Sequence, residues 1–260
     1  MFNLPNLFTA GNFMGGIFAI VMALFGRLEW ACFALGVSML FDFLDGFVAR
    51  LTQTTSAIGK DLDSLADLVS FGLAPGILMF MTIELSLLRD PALILKKYQH
   101  FEFAHWDDFL SISSLSIPFF SLFRLAKFNN DVRQSDRFIG VPTPTNTIFF
   151  LFFPLLYWQI GIQTTTPFEP TYPWVLNPKL MALTALLFPI LLISEIPLLS
   201  LKIKNFNLKS NRYQYLLLGI SLITILTLQI YALPIIVLLY LILSLVENYL
   251  TKKHEVQSGN

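Results

Sequence analysis

Apolar residues in this chain come in long blocks rather than in strict alternation. Between Phe8 and Leu250, mostly apolar stretches recur near 8–26, 30–50, 64–86, 109–128, 146–164, 179–200, 214–232 and 234–250. A hydrocarbon layer about 30 Å thick is crossed by about 20 such residues in a helix. The pattern predicts an all-α integral membrane protein with about eight transmembrane helices. No long Gly/Ser linker, fixed-period repeat or low-complexity tract interrupts it, so one helical domain is expected. The longest polar outer loop is expected over about 87–108. The inner segment "NNDVRQSDRFIGVPTPTN" carries Gly and Pro that end one helix and begin another. The closing "TKKHEVQSGN", residues 251–260, is expected to be a disordered cytoplasmic tail. The opening "MFNLPNLFTAGN" has neither a basic n-region nor a small-residue cleavage site, so the first helix is expected to stay.

Composition agrees: 55% of the 260 residues are hydrophobic and 13% charged, against roughly 25% charged in soluble domains. The single cysteine, Cys32, excludes an internal disulfide, and three scattered histidines lack zinc spacing, which argues against redox and zinc chemistry. Net charge is zero, and no nucleic-acid partner is expected. With both termini in the cytoplasm, the inner segments hold Arg50, Lys60, Arg124, Lys127, Arg133, Arg137, Lys202, Lys204, Lys209, Arg212, Lys252 and Lys253. The outer ones hold Arg27, Arg89, Lys96, Lys97 and Lys179. That asymmetry fits the positive-inside rule and an even helix count, and it places Trp30, Trp106, Trp158 and Trp174 near the outer interface.

One acidic stretch interrupts the apolar pattern, "DFLDGFVARLTQTTSAIGKDLDSLAD". At helical spacing, Asp42, Asp45, Gly46 and Ala49 share one face within roughly 100°. Gly59, Asp63, Asp67, Ser70 and Ala74 share one within about 80°, and Asp61 points the other way. The short link from Leu51 to Ile58 makes the two helices antiparallel neighbours, so both acidic faces meet near the cytoplasmic membrane surface. Each Asp deep in a membrane costs about 2.5–3.5 kcal/mol. Only Arg50 and Lys60 are near in sequence, whereas all-oxygen ligands suit Mg²⁺ or Mn²⁺, and four carboxylates suffice for a two-metal site. Gly46, Ala49 and Gly59 leave room for a bulky group to approach the backbone, or serve plain helix packing.

The spacing D-x2-D-G-x2-A-R-x8-G-x3-D-x3-D, here Asp42, Asp45, Gly46, Ala49, Arg50, Gly59, Asp63 and Asp67, resembles the signature of the CDP-alcohol phosphatidyltransferase family. The segments "LPNLFTAGN", "DLVSFGLAP", "FRLAKFN", "FIGVPTP" and "ISEIPLLSLK" resemble the branch of that family that uses serine. The likeness runs from about residue 4 to residue 202. It implies a six-helix catalytic bundle over 1–202 and two further C-terminal helices over 203–250. It also implies CDP-diacylglycerol as donor, L-serine as acceptor, phosphatidylserine and CMP as products, and a homodimer among membrane lipids, with the active site on the cytoplasmic side of a bacterial-type cell membrane.

On this likeness, Asp42, Asp45, Asp63 and Asp67 hold the metals, and Asp67 takes the acceptor's proton. In-line attack is favoured over a covalent aspartyl-phosphate. Asn6, Thr9, Asp45, Gly46, Ala49, Arg50 and Gly59 are candidates for donor binding, and Ser70 and Arg124 for acceptor binding. Plain readings stand beside these: capping or packing for Asn6 and Thr9, a hydroxyl returned to its own helix for Ser70, and a snorkelling anchor for Arg124. Lys127 and Arg133 read as snorkelling or water-facing, and Glu195 as a solvated helix end. The competing functions are transfer to glycerol 3-phosphate or an inositol phosphate, which should need a denser basic pocket, and cation transport, which predicts acids spread across the membrane.

Overall fold

Asn3 opens the first helix. Its side chain accepts the main-chain N–H of Asn6 at 3.1 Å, and Pro5 sits in the first turn, where its missing N–H costs nothing. The chain, seen here as a computed structural model, is described over residues 3–53, 57–100, 105–131, 138–163, 173–199 and 211–258. Arg133, Arg137, Lys202, Lys204, Lys209 and the expected boundary at 202/203 lie outside these residues.

Each of the eight apolar stretches falls on a helical segment. In order these are α1 (Leu4–Leu24), α2 (Leu28–Thr52), and a rod in which α3 (Ala57–Asp67) passes through a π-helical segment (Leu68–Leu73) into α4 (Ala74–Leu88). After α5 (Pro91–His100), a 3₁₀ stretch (Trp106–Leu115) leads into α6 (Ser116–Asn130). Next come β1 (Phe138–Ile139), α7 (Thr143–Gln163), α8 (Pro178–Leu187) with a 3₁₀ extension to Leu192, β2 (Pro197–Leu198), α9 (Arg212–Leu228) and α10 (Ala232–Ser258). Five stretches among the described residues are long and apolar enough to cross a bilayer: Leu4–Leu24, Leu28–Thr52, Ile58–Leu88, Trp106–Asn130 and Arg212–Leu250. Large apolar side chains such as Leu222, Ile223 and Leu226 face outward, as a lipid solvent favours. The protein is an all-α membrane protein.

Four features depart from the sequence reading. The helix expected over 179–200 ends at Leu192, because Pro197 has no N–H to donate and biases the residue before it toward extended backbone. The chain instead pairs β2 antiparallel with β1. The closing segment, expected to be disordered, continues α10 as far as Ser258. The expected outer loop contains α5, folded back so that Lys97 pairs with the fully buried Glu84 at 3.2 Å and with Asp108 at 3.1 Å. Tyr98 and Ser111 donate to the same Glu84 carboxylate at 2.8 and 2.6 Å, so a carboxylate inside a membrane helix is fully partnered. Lastly, the π segment is underwound, since its i→i+5 bonds put more residues in a turn and offset the face above it from the face below.

Small residues set how closely α1 packs. A Cβ on Gly15 would lie 2.3 Å from Ser38 Oγ of α2, and one on Gly16 2.8 Å from Ser70 Cα in the π segment. Ser38 and Ser70 both donate to the Asn12 carbonyl, at 3.1 and 2.9 Å, tying three helices at one point. Gly16→Val should therefore lower the melting temperature in detergent by about 3–10 °C, the overpacking cost spread over a chain of this size. Gly36→Ala, whose Cβ meets nothing within 4 Å, should leave it unchanged or raised. Equal shifts in the two variants would contradict the close approach of α1.

Candidate active site

Helices α2 and α3 each present acids at one-turn spacing, and the structure brings three of them together. One oxygen each from Asp42, Asp63 and Asp67 lies within 4.8 Å of the others. Asp45 is outside this trio. Buried one turn along from Asp42, it accepts the Thr9 hydroxyl at 2.8 Å. Asp61 is exposed, as its helical phase predicts. No ion pair between described residues reaches any of the four acids on the shared faces.

Helix α1 supplies the neutral partners. Thr9 and Asn12, one turn apart and both buried, point at the acids, and Asn12 Nδ2 donates to Asp67 Oδ1 at 3.0 Å. Asn12 was not singled out from the sequence, although it lies within "LPNLFTAGN" three residues after Thr9 in an apolar run. That spacing was the available signal. Ser70, a candidate for the acceptor, is fully buried with its hydroxyl given to Asn12. Its hydroxyl goes to the same α1 residue whose amide holds Asp67, making it a packing contact between helices rather than one within its own helix.

The trio fits a divalent cation. At such separations each pair of like charges costs about 3 kcal/mol at an effective dielectric constant of about 20. Asp63 Oδ1 is buried with no hydrogen-bond partner, an unusual state for a carboxylate oxygen unless an ion completes it. Three hard oxygen donors suit Mg²⁺ or Mn²⁺.

Around the trio lies space of two kinds. A Cβ on Gly46 would meet only the Arg50 guanidinium, at 3.9 Å, so the backbone there is open to a bulky group. Ala49 and Gly59 are half-buried and Arg50 is exposed. Between α1 and α3 runs a groove of about 440 Å³ lined by Asn6, Leu7, Thr9, Phe13, Leu62 and Leu65. It is apolar along most of its length and polar at Asn6 and Thr9, beside Asp45.

Arg124 does not snorkel. It is 3% exposed, its Nε donates to the Val141 carbonyl at 3.2 Å, and its guanidinium lies 4.9 Å from the Phe128 ring centre. Helix α6 runs antiparallel to the rod that carries Asp67. Ser121 abuts Gly72, while Asn129 donates to Ser64 and accepts from Lys60, each at 2.8 Å. Arg124, between these contacts, is level with the first π residues after Asp67. Lys127 and Glu195, read as water-facing, pair with each other.

Manganese binding followed by electron paramagnetic resonance checks the trio without any assay of turnover. Asp63→Asn and Asp67→Asn should each weaken binding at least about tenfold and Asn12→Ala about tenfold, with Asp61→Asn within about twofold of the native protein. Equal losses for Asp61→Asn and Asp63→Asn would contradict the arrangement.

Comparison with known proteins points the same way. A sequence model described as CDP-alcohol phosphatidyltransferase matches residues 2–190. A CDP-diacylglycerol–serine O-phosphatidyltransferase of Helicobacter pylori strain J99 is 35% identical over 154 residues, 58% of this chain and 57% of that protein. One of Bacillus subtilis is 32% identical over 142 residues, 54% of this chain and 69% of its own length. An archaetidylserine synthase of Methanothermobacter thermautotrophicus is 31% identical over 150 residues, 56% of this chain and 54% of its own. The chain thus spans little more than half the length of the Helicobacter relative. Since the match runs through α1, the acidic helices and α6, and contains all three converging aspartates, the chain belongs to the CDP-alcohol phosphatidyltransferase family.

Proposed function

We propose that this protein transfers the phosphatidyl group of CDP-diacylglycerol to the hydroxyl of L-serine, releasing CMP. The convergence of Asp42, Asp63 and Asp67 beside an apolar groove carries this reading, because a diphosphate with hydrocarbon tails needs both environments at once. The acceptor is taken from the Helicobacter and Bacillus relatives, which are serine O-phosphatidyltransferases.

The trio would hold one divalent cation, Mg²⁺ or Mn²⁺, and a second would draw on Asp45. When bound, such ions supply positive charge against the diphosphate and the departing CMP. The donor's tail lies in the groove between α1 and α3, and its nucleotide approaches the backbone over Gly46, Ala49 and Gly59, with Arg50 and Asn6 at the phosphates. Asn12 fixes Asp67, whose carboxylate accepts the proton of the serine hydroxyl. The serine oxygen forms a bond to the phosphorus carrying diacylglycerol as the bond from that phosphorus to the CMP oxygen breaks. The proton passes from Asp67 to solvent at the membrane surface. Arg124 pairs with the serine carboxylate.

The finer architecture belongs to the same proposal. Residues 1–202 form the catalytic bundle and 203–250 add two helices, giving eight crossings, with the site and both termini on the cytoplasmic side of a cell membrane. Two copies associate as a homodimer.

Purified protein incubated with labelled CDP-diacylglycerol and a panel of alcohols should release CMP far faster with serine than with glycerol 3-phosphate, an inositol phosphate or choline. A glycerol 3-phosphate rate equal to that of serine would reassign the acceptor. Excess chelator should abolish turnover, and Mn²⁺ or Mg²⁺ should restore it. Asp67→Asn should fold normally and lower the single-turnover rate by roughly 10²–10⁴-fold. A rate within a few-fold of native would remove Asp67 as the base.

A further inference from the structure

The last helix, α10, lies beyond the residues that the family comparison covers, 2–190, yet it is bonded into the surroundings of Arg124. Its Tyr240 hydroxyl donates to the Leu199 carbonyl at 3.1 Å, and its Ser244 hydroxyl accepts the Leu199 N–H at 2.9 Å. Both main-chain polar groups of Leu199 are thus held by one helix. Asn248, a turn further on, donates to the Pro197 carbonyl. Residues 197 and 198 in turn form the ribbon with 138 and 139.

The ribbon leads straight to the arginine. Gly140 donates to the Ile196 carbonyl at 2.9 Å and Val141 to the Leu191 carbonyl at 3.0 Å. Gly140 has φ +76, and a Cβ there would lie 2.5 Å from the Leu192 carbonyl oxygen, so the turn tolerates little displacement. The Val141 carbonyl it presents is the acceptor for Arg124 Nε. Val141, Leu192, Leu198, Leu199, Tyr240 and Leu243 are buried in one small core of their own. A buried arginine goes where its hydrogen-bond acceptor is held, and here that acceptor is fixed by a chain of contacts ending on α10.

We infer that α10 is part of the acceptor half of the catalytic site, with Tyr240 and Ser244 as positioning residues that set the Arg124 guanidinium through the 197–199 and 138–141 ribbon. The inference rests on the reading of Arg124 as the residue that binds the acceptor's carboxylate.

The test uses the full chain in detergent, with KM for serine and for CDP-diacylglycerol measured separately. Tyr240→Phe removes a single hydroxyl, and Ser244→Ala is its companion should the first perturb folding. Each should raise the serine KM about five- to twentyfold and leave the CDP-diacylglycerol KM within about twofold. Arg124→Lys should raise the serine KM at least as much, and adding Ser244→Ala to it should cost less than about twofold more, because both changes act through one group. A merely structural role would move both KM values together or multiply fully with Arg124→Lys. Either result, or an unchanged serine KM in both α10 variants, overturns the inference. An unchanged serine KM in Arg124→Lys itself overturns the reading of Arg124, and that failure is visible in the single variant alone.

Discussion

Mutual repulsion among three converging, largely shielded carboxylates is the constraint on which the rest of the structure depends. Asp42, Asp63 and Asp67 converge with no cationic side chain of a described residue paired to them. The contrast with Glu84 in the same rod is instructive. That acid, buried more completely than Asp42 or Asp63, is surrounded by Lys97, Tyr98 and Ser111 and holds α5 in place. Glu84, a carboxylate that serves the fold, is partnered by the chain. The trio is left for something from outside, and hard divalent cations are what such oxygens bind.

Holding the trio requires a third helix. Helix α1 approaches closely because Gly15 and Gly16 present no side chain to Ser38 and Ser70, and that proximity lets Thr9 and Asn12 reach Asp45 and Asp67. The Asn12 backbone carbonyl receives two serine hydroxyls while its amide orients the proposed base. Packing and chemistry thus meet in one residue. The π segment directly after Asp67 adds to this contact, setting the Ser70 hydroxyl against the Asn12 carbonyl of α1.

The helical bundle and the acidic faces were legible in the sequence because both follow from local periodicity. Eight apolar stretches fell on eight helical segments, and phase alone separated Asp61 from Asp63. What escaped was non-local or irregular. An underwound turn leaves no mark on a pattern read at 100° per residue, so the π segment after Asp67 could not be read from the sequence. Asn12 meets Asp67 across 55 residues of chain, and only the fold brings them together. Glu84 and Lys97 meet only because α5 folds back. The end of α8 was overrun because apolar composition continued past Leu192, whereas Pro197 decided the backbone. Asp45 shares a face with Asp42 and also accepts the Thr9 hydroxyl, a contact that spacing along one helix does not reveal.

The central claim is that Asp42, Asp63 and Asp67 form a metal centre, and its most direct test is anomalous diffraction from crystals of the protein grown with Mn²⁺. The account predicts an anomalous peak among these three carboxylates, at ordinary Mn–O distances, that disappears in Asp63→Asn crystals grown the same way. A map with no peak there under saturating Mn²⁺, or a peak that survives the substitution unchanged, would contradict it.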